Sequence, residues 1–197
     1  MNHVQISFYA REGHELGRIQ HAELIHSYSG KSSSLNHLFS CTYFVELIHI
    51  VAQESQPNPV LFRLLLASLK AAEKKVPIPP LLRYFETWIL KISGLYPNYD
   101  YCSDCGKYVN DLGFFARMQD GLARCSTCAG RNDIFVGPEA SRTLQAIWTH
   151  SPEDFSNLPA GAETFEQIEK LTQGLLGMQI DVPLKSYKIL KHALKEP

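Results

Sequence analysis

The sequence predicts a mainly α protein, in which a helical domain is interrupted by a small four-cysteine ribbon and preceded by a β-hairpin. Three observations carry that reading. Cys102-Ser-Asp-Cys105 and Cys125-Ser-Thr-Cys128 form two Cys-x-x-Cys pairs separated by 19 residues. On either side of them, apolar residues recur at three- and four-residue intervals, the period of a helix with one buried face. At the N-terminus, residues 4 to 9 instead alternate apolar and polar, the period of a strand.

In chain order, Val4 to Tyr9 and Leu16 to Ile25 flank a turn-like Arg11-Glu12-Gly13-His14 and read as a two-stranded hairpin. A lone hairpin is marginal in water, so this one must pack on other elements or extend a larger sheet. Leu35 to about Glu54 follows as a first helix with a serine N-cap, its stripe made by Leu35, Leu38, Phe39, Val45, Ile48 and Val51. Asn58-Pro59 is a cap followed by proline at the first helical position, and opens a second helix from Val60 to about Lys74. Pro77, Pro79 and Pro80 stop it. A third helix is expected over Leu81 to Ser93, with Gly94 as a left-handed terminator. Gly113 to Gln119 and Gly121 to Arg124, joined by Asp120-Gly121, make the hairpin of the ribbon. Helices starting at Pro138, Phe165 and Leu184 complete the chain, the last reaching Lys195.

Composition bounds the function. With 197 residues, 45% of them hydrophobic and 20% charged, the chain is an ordinary globular one, and disordered and collagen-like classes drop out. A formal charge of −1 announces no global field for nucleic acid or membrane, so any such binding is local. Five cysteines, four of them in x-x pairs, point to a reducing, intracellular setting rather than a disulfide scaffold. The first residues lack the basic and apolar regions of a signal peptide. The most apolar run, Tyr43 to Ala52, is broken by Glu46 and His49 and is shorter than the roughly 20 residues a bilayer requires.

The paired cysteines supply four soft ligands on two tight turns, the donor set of tetrahedral Zn(II), and Gly106 allows positive φ just after the second thiol. The alternative, a redox pair, lacks the βαβ pattern in which such motifs sit. Four protein thiolates leave no position for water, so the metal is expected to be structural, which argues against a zinc hydrolase. The histidines, among them His21, His26, His37 and His49, form no His-Glu-x-x-His. Glu163, Glu166 and Glu169 with Lys170 read as a solvated face. No phosphate loop or nucleophile elbow is present in the sequence, and no enzymatic activity is expected. On the last helix Lys185, Lys188, Lys191 and Lys195 line one side, opposite Leu184, Leu190, Ala193 and Leu194. This reads either as an ordinary solvated face or as a contact for a phosphate backbone, extended by Arg117 and Arg124 of the ribbon.

Several segments, taken in order, resemble the bacterial recombination mediator family RecO. They are Ala22-Glu-Leu-Ile-His-Ser-Tyr-Ser-Gly30, Glu54 to Phe62 with its Asn-Pro, Tyr84 to Pro97, the paired cysteines, and Leu184-Lys-Ser-Tyr-Lys-Ile-Leu190. The resemblance implies an N-terminal OB barrel, a helical domain and a zinc ribbon inserted in it. On this chain it divides into a partial OB fold at 1–30, a helical domain at 31–98 and 132–197, and the ribbon at 99–131. It implies a cytoplasmic, nucleoid-associated protein that binds single- and double-stranded DNA, anneals strands, and with RecR assists RecA loading onto strands coated by single-stranded-DNA-binding protein. An OB barrel has five strands. About 30 residues precede the helices, enough for the last two, so the chain reads as N-terminally truncated relative to the family. Tyr187 also stands where the family usually has arginine. With the barrel incomplete, a second reading is a protein-interaction module that docks RecR or the acidic, apolar C-terminal tail of single-stranded-DNA-binding protein.

Overall fold

The computed structural model describes residues 1–10, 17–28, 34–54, 56–180 and 183–194. The turn expected at Arg11 to His14, and Lys195, lie outside them. Two strands come first, β1 (Asn2–Tyr9) and β2 (Arg18–Ser27), followed by α1 (Leu35–Val51), α2 (Pro59–Glu73) and α3 (Ile78–Ile92). The ribbon contributes β3 (Phe114–Ala116), β4 (Ala123–Arg124) and β5 (Ile134–Val136). Then come α4 (Pro138–Ala146), α5 (Pro152–Ser156), α6 (Ala162–Gln179) and α7 (Lys185–Ala193). The mainly α class, the N-terminal hairpin and the four-cysteine module are all present.

Local chemistry explains most boundaries. Ser34 accepts from the backbone N–H of His37 at the start of α1, and Asn58 accepts from that of Leu61 at 3.0 Å, ahead of Pro59. α3 starts three residues earlier than the expected Leu81 and takes Pro79 and Pro80 into its first turn. The reason is that first-turn N–H groups have no intrahelical partner, so proline there sacrifices no bond. At the other end Gly94 adopts φ 72°, with Gly94 N–H donating to Lys91 O at 3.1 Å and Leu95 N–H to Leu90 O at 2.8 Å. That pair of bonds is a Schellman cap.

One core runs through helices and ribbon alike, from Phe44 and Phe85, stacked at 4.2 Å, to Phe114, Ala123 and Val136. α3 is central, packing on α1, α2, α5 and α6, while α7 lies on α1. The ribbon sheet has the order β4-β3-β5, all antiparallel. Its third strand was not expected, because Ile134-Phe-Val is too short a run to show a period. The short α5 escaped notice for the same reason. The ribbon presses on α6: a methyl at Gly174 would run into the Met118 sulfur, and one at Gly121 would meet Leu175 at 2.9 Å.

The N-terminal hairpin is different. Its register pairs Val4 with Leu24, Ile6 with Ala22 and Phe8 with Ile19, so these side chains share one face. That face is bare, with Phe8 65% and Ile19 61% exposed. The hairpin is tied down at its base, by His26 on Glu73 at 2.9 Å, His3 against Phe62 at 5.6 Å between ring centroids, and the buried Tyr28, whose N–H donates to Met1 O.

Candidate metal centre and basic surface

Each cysteine pair sits on a tight backbone loop. In the first, Cys102 N–H donates to Lys107 O and Gly106 N–H to Cys102 O, both at 2.8 Å, with Gly106 at φ 73° as its position demanded. In the second, Cys128 and Ala129 N–H both donate to Cys125 O, at 3.0 and 2.9 Å. The loops face each other, and all four Sγ atoms lie within 4.8 Å of one another, Cys105 and Cys125 at 3.7 Å. A tetrahedron with Zn–S bonds of about 2.3 Å has edges of about 3.8 Å, so the donor set fits Zn(II). Backbone hydrogen bonds favour thiolate at Cys102 and Cys125, whereas the neighbouring sulfurs push the Cys105 and Cys128 thiols up. Burial raises the Cys102 thiol, but backbone hydrogen bonds from Cys125, Cys105 and Asp104 outweigh it and bring its pKa down to about 6. Cys102 and Cys125 are buried, Cys128 half-buried and Cys105 exposed, so the cluster lies partly open to solvent. All four corners are protein sulfur, which suits a structural ion.

Beside this cluster sit the two arginines expected to extend a basic surface. Arg124 instead points inward and is 3% exposed. Its Nε lies 2.7 Å from Asp104 Oδ2 and its terminal nitrogen 2.7 Å from Asp120 Oδ2, and it also donates to the Ser103 hydroxyl. Arg117, half-buried, reaches the same two carboxylates at 3.3 and 3.9 Å. Burial raises the Asp120 carboxyl, yet the Leu122 N–H and the Arg124 guanidinium hold it below the usual carboxylate range. Two cations and two anions make a neutral box that straps the first cysteine loop to the ribbon turn. The correction to Arg124 has a clear cause: spacing shows how many charges a hairpin carries, not which way they face.

On α7 Lys185 and Lys188 are exposed, three residues apart on one side. Lys191 is half-buried and bound to Glu169 at 2.5 Å. The start of α7 is already occupied by an anion: Glu46 of α1 accepts from the backbone N–H of Lys185 and Ser186, each at 3.1 Å, and from the Ser186 hydroxyl. The Glu46 carboxylate therefore caps this helix from another one and complements its dipole. Tyr187 donates to Glu169 at 2.7 Å and packs its ring 5.0 Å from Tyr43.

Glu169 leads to a network that the sequence reading missed. It lies 3.5 Å from Arg83, itself 1% exposed and paired with the buried Glu86 at 2.9 Å. Glu86 also accepts from Tyr43, Thr172 and Gln173 at 2.9, 2.5 and 2.7 Å. Burial pushes the Glu86 carboxyl up, against the pull of Arg83 and those donors. Burial likewise raises Glu169, but Lys191, Arg83 and Tyr187 together hold it below its ordinary value. Glu169 is thus an internal tie rather than part of the solvated face expected for Glu163, Glu166 and Glu169. The available signal was Arg83-x-x-Glu86 inside an otherwise apolar helix, where an unpaired charge is not tolerated.

Comparison with known proteins agrees with this architecture. A family model described as the C-terminal part of recombination protein O matches residues 32–188. A protein from Geobacter metallireducens named DNA repair protein RecO is 28% identical over 189 residues, covering 95% of this chain and 75% of that protein. Proteins of the same name from Listeria innocua and Koribacter versatilis are 26% and 28% identical, covering 91% and 96% of this chain and 70% and 77% of their own lengths. Among the described residues, no helix is long and apolar enough to cross a membrane.

Proposed function

The chain belongs to the recombination protein O family, and from that premise we propose that it works in DNA repair as a non-enzymatic recombination mediator in the cytoplasm. It binds single- and double-stranded DNA, anneals complementary strands, and with RecR assists RecA loading, using structural Zn(II) on Cys102, Cys105, Cys125 and Cys128. The observation that carries the DNA-binding reading is the pair Lys185 and Lys188, both solvent-facing on a helix held rigid by Glu46 and Glu169. A fixed pair of ammonium groups suits phosphate contacts, which position a strand without reading its sequence. In sequence, Lys195 continues the same spacing. Lys191 is committed to Glu169, Arg117 contributes only at the edge of its box, and Arg124 serves the ribbon. Replacing Lys185 and Lys188 with alanine should weaken oligonucleotide binding and reduce the slope of log K against log salt by about 1.4 for single strands. An unchanged slope rejects this face. Metal analysis of the purified protein should return one zinc per chain.

The bare face of the hairpin favours a second reading. Its six apolar side chains fit the last two strands of an OB barrel, and a sheet that exposes them is a platform for further strands or a partner. On that reading the chain mainly docks RecR or the C-terminal tail of single-stranded-DNA-binding protein. Titrating labelled tail peptide and labelled oligonucleotide side by side separates the two. Oligonucleotide binding without peptide binding removes the docking role for the tail.

A further inference from the structure

Between the end of α3, the segment 96–100 and α4 lies a groove of about 610 Å³ that neither the metal site nor the α7 lysines use. Its aromatic surface is the half-buried Trp148 and Tyr96, backed by the buried Tyr99 and Phe114. Trp148 and Tyr96 meet edge to face at 5.2 Å, Tyr96 meets Tyr99 likewise at 5.3 Å, and Tyr99 stacks on Phe114 at 4.4 Å. Lys91, exposed at the rim, holds its ammonium 5.7 Å from the centre of the Trp148 ring. Hydrogen-bonding groups converge on the same space. Asn98 accepts from Asp100 N–H at 2.8 Å, which leaves its amide donors without a partner among the described residues. Asp100 accepts from Asn110 at 2.6 Å and, as a carboxylate, has room for further donors. Gln145 lies exposed along the opposite side. Tyr99 is 6% exposed, and its hydroxyl has no hydrogen-bond partner among the described residues. That hydroxyl is buried behind the groove surface, so Tyr99 backs Tyr96 and does not itself meet a ligand.

We propose that this groove takes one unstacked nucleobase of single-stranded DNA, with the adjoining phosphate on Lys91. This rests on the DNA-binding reading and deepens it, by adding a contact that sees a base to lysines that see only phosphate. The accessible parts of Trp148 and Tyr96 supply a stacking surface for any base. Asp100 accepts from an exocyclic amine such as that of cytosine, and Asn98 and Gln145 offer amides to the remaining edge. The number of charges decides between a base and an acidic peptide: one cation matches the single phosphate adjoining a base, not a run of carboxylates. The lining offers one cation, and Asp100 would repel the carboxylates of an acidic tail.

Trp148 is the reporter. The chain has two tryptophans, so Trp88→Phe leaves it alone. The full chain is titrated with oligodeoxycytidylate and with an abasic oligonucleotide of equal length and charge. Quenching of Trp148 by the first, and about tenfold weaker binding of the second, is the expected result. Lys91→Ala and Gln145→Ala should each weaken the cytidylate several-fold. Gln145→Ala should leave the abasic strand unaffected. Equal affinity for both strands with unchanged Trp148 emission overturns the groove and leaves the α7 lysines standing. Binding of neither strand overturns both. An emission change with an acidic, apolar peptide but not with cytidylate assigns the groove to protein and likewise overturns the proposal.

Discussion

On the ribbon, Arg117 and Arg124 lie within reach of Asp104 and Asp120, and the four charges cancel in a strap beside the cysteines. On α7, the same number of cations, Lys185 and Lys188, face water, while the anions that touch the helix hold its start and its far side. Both segments read as basic in sequence. The difference is one of reach and depth. A guanidinium spans two carboxylates at once and tolerates burial when fully bonded, which suits a clamp. An ammonium on a flexible stem stays hydrated, which suits a surface contact.

The largest test of this contrast is metal removal. A four-thiolate zinc site contributes on the order of 10 kcal/mol to its module, so a chelator should open the ribbon amides to hydrogen exchange. α7, held by Glu46 and Glu169, should stay protected. Loss of protection in both at once would show that the two regions are one cooperative unit. Next is Arg83→Met, which strands the buried Glu86 carboxylate and should cost about 3–5 kcal/mol in denaturant unfolding. A change below about 1 kcal/mol would mean that Glu86 simply takes up a proton. Arg124→Ala leaves Asp104 and Asp120 to Arg117 alone and should cost about 1–2 kcal/mol, speed metal transfer to a chelator, and leave the salt slope of oligonucleotide binding unchanged. A reduced slope would return Arg124 to the binding surface.

The smallest effect concerns pH. The Glu169 carboxyl is held below its ordinary value in the folded chain. Its stabilising contribution is therefore complete above the unfolded carboxylate value of about 4.3 and is lost as pH falls through the lower folded value. Acid should loosen α7 over that range, and Glu169→Gln should flatten this part of the stability profile. A profile identical in both proteins would place the tie elsewhere.

Much of this was legible beforehand, for identifiable reasons. The cysteine loops follow from spacing plus one glycine, since the x-x interval and positive φ are local properties. The caps at Asn58 and Gly94 are likewise encoded within a few residues. Glu46 was legible only as an interruption in an apolar run. Its role as the cap of a helix 139 residues later depends on α1 and α7 lying side by side. Glu169 was assigned to solvent because its neighbours 163 and 166 are polar, and no local pattern shows that Arg83 lies beneath it.

By itself, then, the sequence determined the mainly α class, the hairpin, the four-cysteine cluster and the family, because each rests on short-range periodicity, spacing or ordered motifs. The tertiary structure alone decided which charges are free. Whether a cation meets water or a carboxylate is set by packing between elements far apart in the chain, and the same lysine or arginine is a binding group in one setting and a strut in the other.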